Sequence, residues 1–319
     1  MPYPLLISTA AQISTFVAAL ITAAVVVFTA CYIQTKRFKV TNVYAEKDEK
    51  SSDEKENGKE NGQGNVPENP EFVRVGLISD LHFPMIGVSL ENVIYTLKKQ
   101  DCDVIAIAGD LCQNGKGKPK MLAFMKRLSG EIPGVPIFVV PGNHDALHVC
   151  GKDKAKLSSY CEEIEKCGQN IRVLRNNVEK INITGASSKL VIAGFDEFIV
   201  TNKSSYITTY KEAEGMCGDG DKLLLLMHNP DIMERIGEAV GAGSKYSVAL
   251  AGHTHGGQVY LPFNLEFKVL RNDGLPKKGF VYGLYDYCPN NKLYITCGLG
   301  QSFLPIRLGT TPEVAVVVF

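Results

Sequence analysis

The sequence predicts an α/β domain on a mixed β-sheet system, preceded by one apolar N-terminal helix. Three observations carry this reading. Short runs that are apolar at nearly every position recur and end in polar clusters; helix-like segments lie between the first of them; and residues 1–35 contain no charged side chain.

In chain order, Ile13 to Ile33 comes first, long enough to cross the hydrocarbon core of a bilayer as a helix. We read it as a membrane anchor rather than a cleaved signal peptide, because no basic residue precedes it and the apolar stretch exceeds a signal's core. Lys36, Arg37 and Lys39 follow the span, so the positive-inside rule puts the C-terminal bulk in the cytoplasm. Residues 36–71 are expected to form a charged, flexible linker, since 46–71 offer almost nothing apolar to bury. The remainder, 72–319, falls at the upper end of one domain's usual size.

Within that domain, strands are expected in 72–80, 102–110, 135–145, 189–198, 222–230 and 246–257, apolar throughout because both faces are covered. Residues 89–100 read as a helix, with Ser89 as N-cap before Val93, Ile94 and Leu97 at helical spacing. From Lys278 onward the pattern is strands and turns, expected to form a late β-rich portion packed on the earlier α/β portion. Composition fits a globular protein: no net formal charge, 45% hydrophobic and 21% charged residues. That balance, with the anchor, speaks against a nucleic-acid partner. The nine cysteines are odd in number and include no CxxC pair, so neither a disulfide framework nor a thiolate zinc site is expected.

The polar clusters at the strand ends carry the chemistry. Asp80 and His82 follow the first strand, Asp110 the second, Asn143 and His144 the third, His228 a later one, and His253 and His255 the next. These hold all but His148 of the six histidines. Each motif alone is weak, and Gly-Asp after a strand is usually a turn. Together, at successive strand ends where α/β sheets bind ligands, they point to one crevice. Carboxylate oxygens and neutral imidazoles without cysteine suit borderline divalent ions, and the set is too large for one ion but about right for two. Such a pair serves phosphoester hydrolysis. The basic residues Lys116, Lys118, Lys120, Lys126 and Arg127 read as a solvated, functionally neutral run.

The series DLH, GD, GNHD, H and GHTH resembles the signature of the calcineurin-like metallophosphoesterase superfamily over most of Phe72 to Val259. GHTHGGQ and the later GLG…PIRL stretch look like its membrane-associated phosphodiesterase branch. The resemblance implies a four-layered α-β-β-α sandwich of two mixed sheets. It implies two divalent metal ions, Mn, Fe or Zn: Asp80, His82 and His255 would hold one, Asn143, His228 and His253 the other, and Asp110 would bridge. A bridging water or hydroxide would attack phosphorus, and His144 would be no ligand but would donate a proton to the leaving oxygen. The expected substrate is a phosphodiester or pyrophosphate on a membrane-proximal or lipid-linked molecule. The alternatives are a non-catalytic metal-binding scaffold, a phosphomonoesterase or protein phosphatase, and a nuclease. One position departs from the pattern: where many members place an Asp that orients the catalytic histidine, this chain has Gln113. A neutral amide stabilises imidazolium less than a carboxylate, so His144 is expected to be a weaker acid-base group unless Asp145 or another carboxylate substitutes.

Overall fold

The computed structural model describes residues 3–45, 72–197, 203–240, 246–261, 263, 265–271, 273–288 and 291–319. The chain opens with helix α1 (Tyr3–Gln34), then strand β1 (Lys39–Tyr44). Next come β2 (Arg74–Ile78), α2 (Leu90–Lys99), β3 (Val104–Ala108), α3 (Lys118–Glu131), β4 (Ile137–Val140), α4 (Lys154–Glu165) and β5 (Ile171–Val173). A second series follows: β6 (Asn177–Asn182), β7 (Lys189–Gly194), α5 (Lys203–Met216), β8 (Lys222–Leu226), α6 (Ile232–Val240) and β9 (Val248–Ala251). The chain ends with α7 (Gly274–Lys277), β10 (Gly283–Cys288), β11 (Asn291–Ile295) and β12 (Glu313–Val318).

The strands form two six-stranded sheets, ordered β1-β12-β2-β3-β4-β5 and β10-β11-β9-β8-β7-β6. Both are mixed. In the first, β2 to β5 run parallel, β12 is antiparallel to β2, and β1 is parallel to β12. In the second, β7, β8, β9 and β11 are parallel, with β6 and β10 antiparallel at the edges.

Strand periodicity explains the layering. Alternate residues of β3 part company: Val104, Ala106 and Ala108 point into the core between the sheets, while Ile105 and Ile107 pack under the outer helices. In β8, Leu224 and Leu226 meet the first sheet, and Leu223 and Leu225 face the side of α5 and α6. Burial on both faces is why these strands read as unbroken apolar runs. Helix α2 starts where its sequence suggests: Ser89 Oγ accepts the Asn92 N–H at 3.3 Å, and Val93, Ile94 and Leu97 are buried.

Three expectations need correction. The linker was to span 36–71, but Lys39–Tyr44 is a strand paired along its whole length with β12. Residues 46–71, the charged part, lie outside the described residues and fall between β1 and β2, inside the domain's own strand order. The late β-rich portion is no separate layer either: β10 and β11 extend the second sheet, and β12 returns to the first between β1 and β2. β5 and β6 were not foreseen, being respectively three residues long and half-exposed.

Helix α1 contains a stretch, Gln12–Gln34, long and apolar enough to cross a membrane, and only 6% of its most apolar window is buried. Its C-terminal end is held by the domain. Cys31 and Thr35 are buried, the Cys31 carbonyl accepts the Arg307 N–H at 3.2 Å, and Gln34 Nε2 donates to Thr311 Oγ1 at 3.3 Å.

Candidate metal centre

Each residue anticipated at a strand end is found there, and all converge on one crevice at the C-terminal ends of β2, β3, β4, β8 and β9. The backbone that presents them is unusual. Asp80, His82, Asp110, His253 and His255 all take left-handed φ, between 47° and 74°. Non-glycine residues there cost on the order of 1–2 kcal/mol each, so the surroundings must hold them. Part of that hold is the ladder Asp80 N–H to Gly109 O at 2.9 Å and His82 N–H to Asp110 O at 3.0 Å. Close approach also demands glycine: a Cβ on Gly142 would run into the Asp110 carboxylate, and one on Gly252 into Ser79 Oγ and Asp80 Oδ2.

Two groups of lone-pair atoms face each other. In the first, His82 Nε2 lies 3.0 Å from His255 Nε2, and Asp80 Oδ1 lies 3.8 and 3.4 Å from those nitrogens. In the second, Asn143 Oδ1 lies 3.0 Å from His228 Nε2 and 2.9 Å from His253 Nδ1, which are themselves 3.1 Å apart. Asp110 Oδ2 stands between the groups, 3.5 Å from His82 Nε2 and 3.3 Å from His228 Nε2. A cation held at roughly 2.0–2.2 Å keeps neighbouring ligand atoms roughly 3.0–3.6 Å apart, and the spacings here are of that size. Asp80 Oδ1 is fully buried with no hydrogen-bond partner among the described residues. A bare buried carboxylate oxygen is costly unless a cation meets it, so the donor set fits divalent metal.

The electrostatics agree for three of the four imidazoles in the two groups, and the fourth, His228, would give up a proton to a bound cation. Burial pushes the His82 imidazole down to about 3 and His253 to about 4, and it lowers His255 as well. These rings are therefore neutral at pH 7, the form that offers a lone pair. Burial opposes charge on His228 too, but the Asp110 carboxylate, with Asp80 and Glu197 behind it, outweighs burial and lifts His228 to about 10. The ring is oriented from behind, since its Nδ1 lies 2.8 Å from the Ala108 carbonyl and donates to it, leaving Nε2 turned into the crevice.

His144 borders the first group, near His82 and Asp110. Its backbone N–H donates to Asp110 Oδ1 at 2.8 Å, and its ring lies edge-on to His82 at 4.7 Å between centroids. Its Nε2 looks toward Ser302 Oγ at 3.4 Å. Its Nδ1 faces the backbone carbonyl of Gln113, also at 3.4 Å, beyond normal hydrogen-bond length. Asp145 does not substitute for the missing carboxylate. It accepts from the N–H groups of Leu111, Cys112 and Gly142 at 3.0–3.1 Å and from Tyr160 OH at 2.9 Å, clasping the Asp110 loop to the Asn143 loop. Burial, with the charge of Asp110, pushes its carboxyl up to about 6. Asp145→Ala would strand three buried N–H groups and should cost about 3–5 kcal/mol in denaturant unfolding. A loss below about 1 kcal/mol would show that the clasp is dispensable.

Sequence reasoning missed Asp273 and Arg271. Asp273 Oδ1 lies 3.1 Å from His253 Nε2, and its Oδ2 pairs with Arg271 Nε at 2.6 Å. Arg271 Nη2, which can only donate, lies 2.8 Å from the same Nε2, so Asp273 and Arg271 together hold the ring from behind with Nδ1 turned toward Asn143 and His228. Asp273→Ala should weaken metal affinity by about 10–100-fold in chelator competition, with the fold intact; unchanged affinity would rule out the orienting role. His148, expected as a surface or structural residue, is exposed but borders the same cleft, its ring 4.6 Å from that of His144. The basic run is partly paired off, Lys118 with Glu163 and Arg127 with Glu91 and Glu131.

Above the cluster lies a cleft of about 620 Å³. Asp110, Asn143, His144 and His253 form its polar floor, and Val259, Leu261, Phe303, Leu304 and Ile306 its apolar wall.

Residues 73–257 match the family described as calcineurin-like phosphoesterase. The chain is 30% identical over 237 residues to YkoQ of Bacillus subtilis (strain 168), named an uncharacterized metallophosphoesterase, covering 74% of this chain and 80% of that one. It is 26% identical over 258 residues to a Danio rerio transmembrane protein with metallophosphoesterase domain, covering 79% of this chain but 54% of that one. The chain therefore spans about half the length of that relative. A solved structure from Thermus thermophilus superposes with a TM-score of 0.46 at 11% identity, covering 71% of this chain and 90% of that one.

Proposed function

Because the chain belongs to the calcineurin-like phosphoesterase family, we propose that it is a membrane-anchored phosphoric ester hydrolase with a dinuclear metal centre, cleaving a phosphodiester or pyrophosphate on a membrane-proximal molecule. The observation that carries this reading is the pair of facing lone-pair groups joined by Asp110 Oδ2. Asp80, His82 and His255 would hold one divalent cation, Asn143, His228 and His253 the other, and Asp110 would be shared between them; Mn, Fe and Zn all suit this mixed oxygen and nitrogen set. When bound, two such ions neutralise phosphoryl charge and lower the pKa of water.

The protein's own groups supply the rest. Asp110 Oδ1, through the His144 N–H, sets the imidazole beside the centre, and His144 Nε2 delivers a proton to the leaving oxygen. The apolar wall offers room for a second ester substituent, which favours a diester over a monoester. Helix α1 is the anchor, and Lys36, Arg37 and Lys39 set the domain on the cytoplasmic side.

The test is hydrolysis of bis-p-nitrophenyl phosphate and p-nitrophenyl phosphate by the full chain in detergent, with added Mn²⁺ and after chelation. Metal-dependent cleavage faster on the diester is expected. Preference for the monoester would make the protein a phosphomonoesterase, and no turnover from folded, metal-loaded protein would make it a scaffold.

A further inference from the structure

We propose that the rim of the cleft is itself seated in the bilayer surface, so that the centre takes its ester from the lipid–water interface as an amphiphile. This rests on the reading of α1 as a membrane span. The sheet register fixes where that span ends. Lys39 at the start of β1 lies opposite Glu313 at the start of β12, and β12 runs antiparallel to β2 with Ala315 opposite Leu77. The anchor therefore enters the domain at the C-terminal end of β2, where Asp80 and His82 sit.

The attachment is close. Cys31 and Gln34 bond to Arg307 and Thr311, and a Cβ on Gly87 would strike the backbone of Thr35. The segment that receives the anchor is thus continuous with the wall of the cleft: Ser302 reaches His144, and the Phe303 ring lies 5.6 Å from the His144 ring. That wall is apolar and uncovered, with Phe303 72%, Leu304 56% and Leu308 44% exposed. The Tyr260 N–H donates to the Leu308 carbonyl at 2.8 Å, tying to that wall the start of a strip that adds Tyr260 at 49%, Phe263 at 80% and Val269 at 72% exposed. Water-facing surfaces rarely carry so many large apolar side chains together. Lys36, Arg37 and Lys39 stand at the depth of the headgroups, where basic residues are attracted to anionic lipid. A phosphoester headgroup would reach the polar floor while its apolar part stays against Phe303 and Leu304.

The chain has no tryptophan, so a single introduced one reports alone. The full chain would be reconstituted in phosphatidylcholine–phosphatidylglycerol vesicles with brominated acyl chains, as Phe303→Trp, Phe263→Trp, Phe16→Trp in α1, and Lys189→Trp at the opposite ends of the strands. Quenching in both rim variants and in Phe16→Trp, but not in Lys189→Trp, is expected. Unquenched rim variants beside a quenched Phe16→Trp would overturn the seating alone. An unquenched Phe16→Trp would overturn the anchor reading and the proposal with it. In plain vesicles, hexadecyl p-nitrophenyl phosphate should be cleaved at least about tenfold faster than methyl p-nitrophenyl phosphate, as burying a long alkyl chain favours the interface. Equal rates would overturn the amphiphile class, and cleavage of neither would overturn the hydrolase reading beneath it.

Discussion

Asp110→Ala is expected to lower diester turnover by on the order of 10³-fold or more, since in the proposed dinuclear centre several kcal/mol of transition-state stabilisation would pass through the two ions this carboxylate would share. The reason is positional. Among the described residues, Asp110 Oδ2 is the oxygen within 3.5 Å of both His82 Nε2 and His228 Nε2, while Oδ1 accepts the His144 N–H. Its loss therefore strikes both halves of the centre and the acid beside them. Metal content should fall for both ions. Asn143→Ala, which touches only the second group, should reduce content by one. Asp110→Asn separates the two jobs, because its amide oxygen can still accept the His144 N–H while the bridging charge is gone. Near-normal turnover in Asp110→Ala would break the reading of a shared bridge.

The second large effect is expected of His144→Ala, a fall in kcat of about 10²–10⁴-fold with metal content retained. His144 lies near enough to His82 and Asp110 to be counted as a ligand with them, so geometry alone leaves two roles. The leaving group separates these. A proton donor matters most when the departing oxygen is basic, so the loss should be large for an alkyl leaving group and small for p-nitrophenolate. A loss equal for both, accompanied by a fall in metal content, would make His144 a ligand.

The strands that carry this chemistry were legible because burial on both faces leaves an unbroken apolar run and the site residues follow each run directly, as in β3 ending before Asp110 and β9 before His253. What escaped notice lacks that signature. Strand β1 buries little beyond Val43 and reads as mixed polar sequence, since an edge strand has one neighbour and a wet side. Asp273 and Arg271 belong to the excursion between β9 and β10, and only folding brings them back to His253. Gln113 shows the reverse: its identity was conspicuous, yet it is the backbone carbonyl that faces His144.

Strand β1 changes what a protease could accomplish. Residues 46–71 are charged and almost without apolar side chains, sequence of the kind proteases cut, and a cut there would separate α1 covalently from the candidate site residues. It would not set the domain adrift, because the anchored piece would still hold β12 through the register from Lys39–Glu313 to Tyr44–Val318 and through Thr41 Oγ1 on Glu313 at 3.0 Å. Release would require stripping a strand from the sheet, leaving the apolar edge of β12 ready to aggregate. With α1 as the proposed anchor, shedding and misfolding would therefore be the same event, and a nicked form would be expected to stay on the membrane with its sheet assembled.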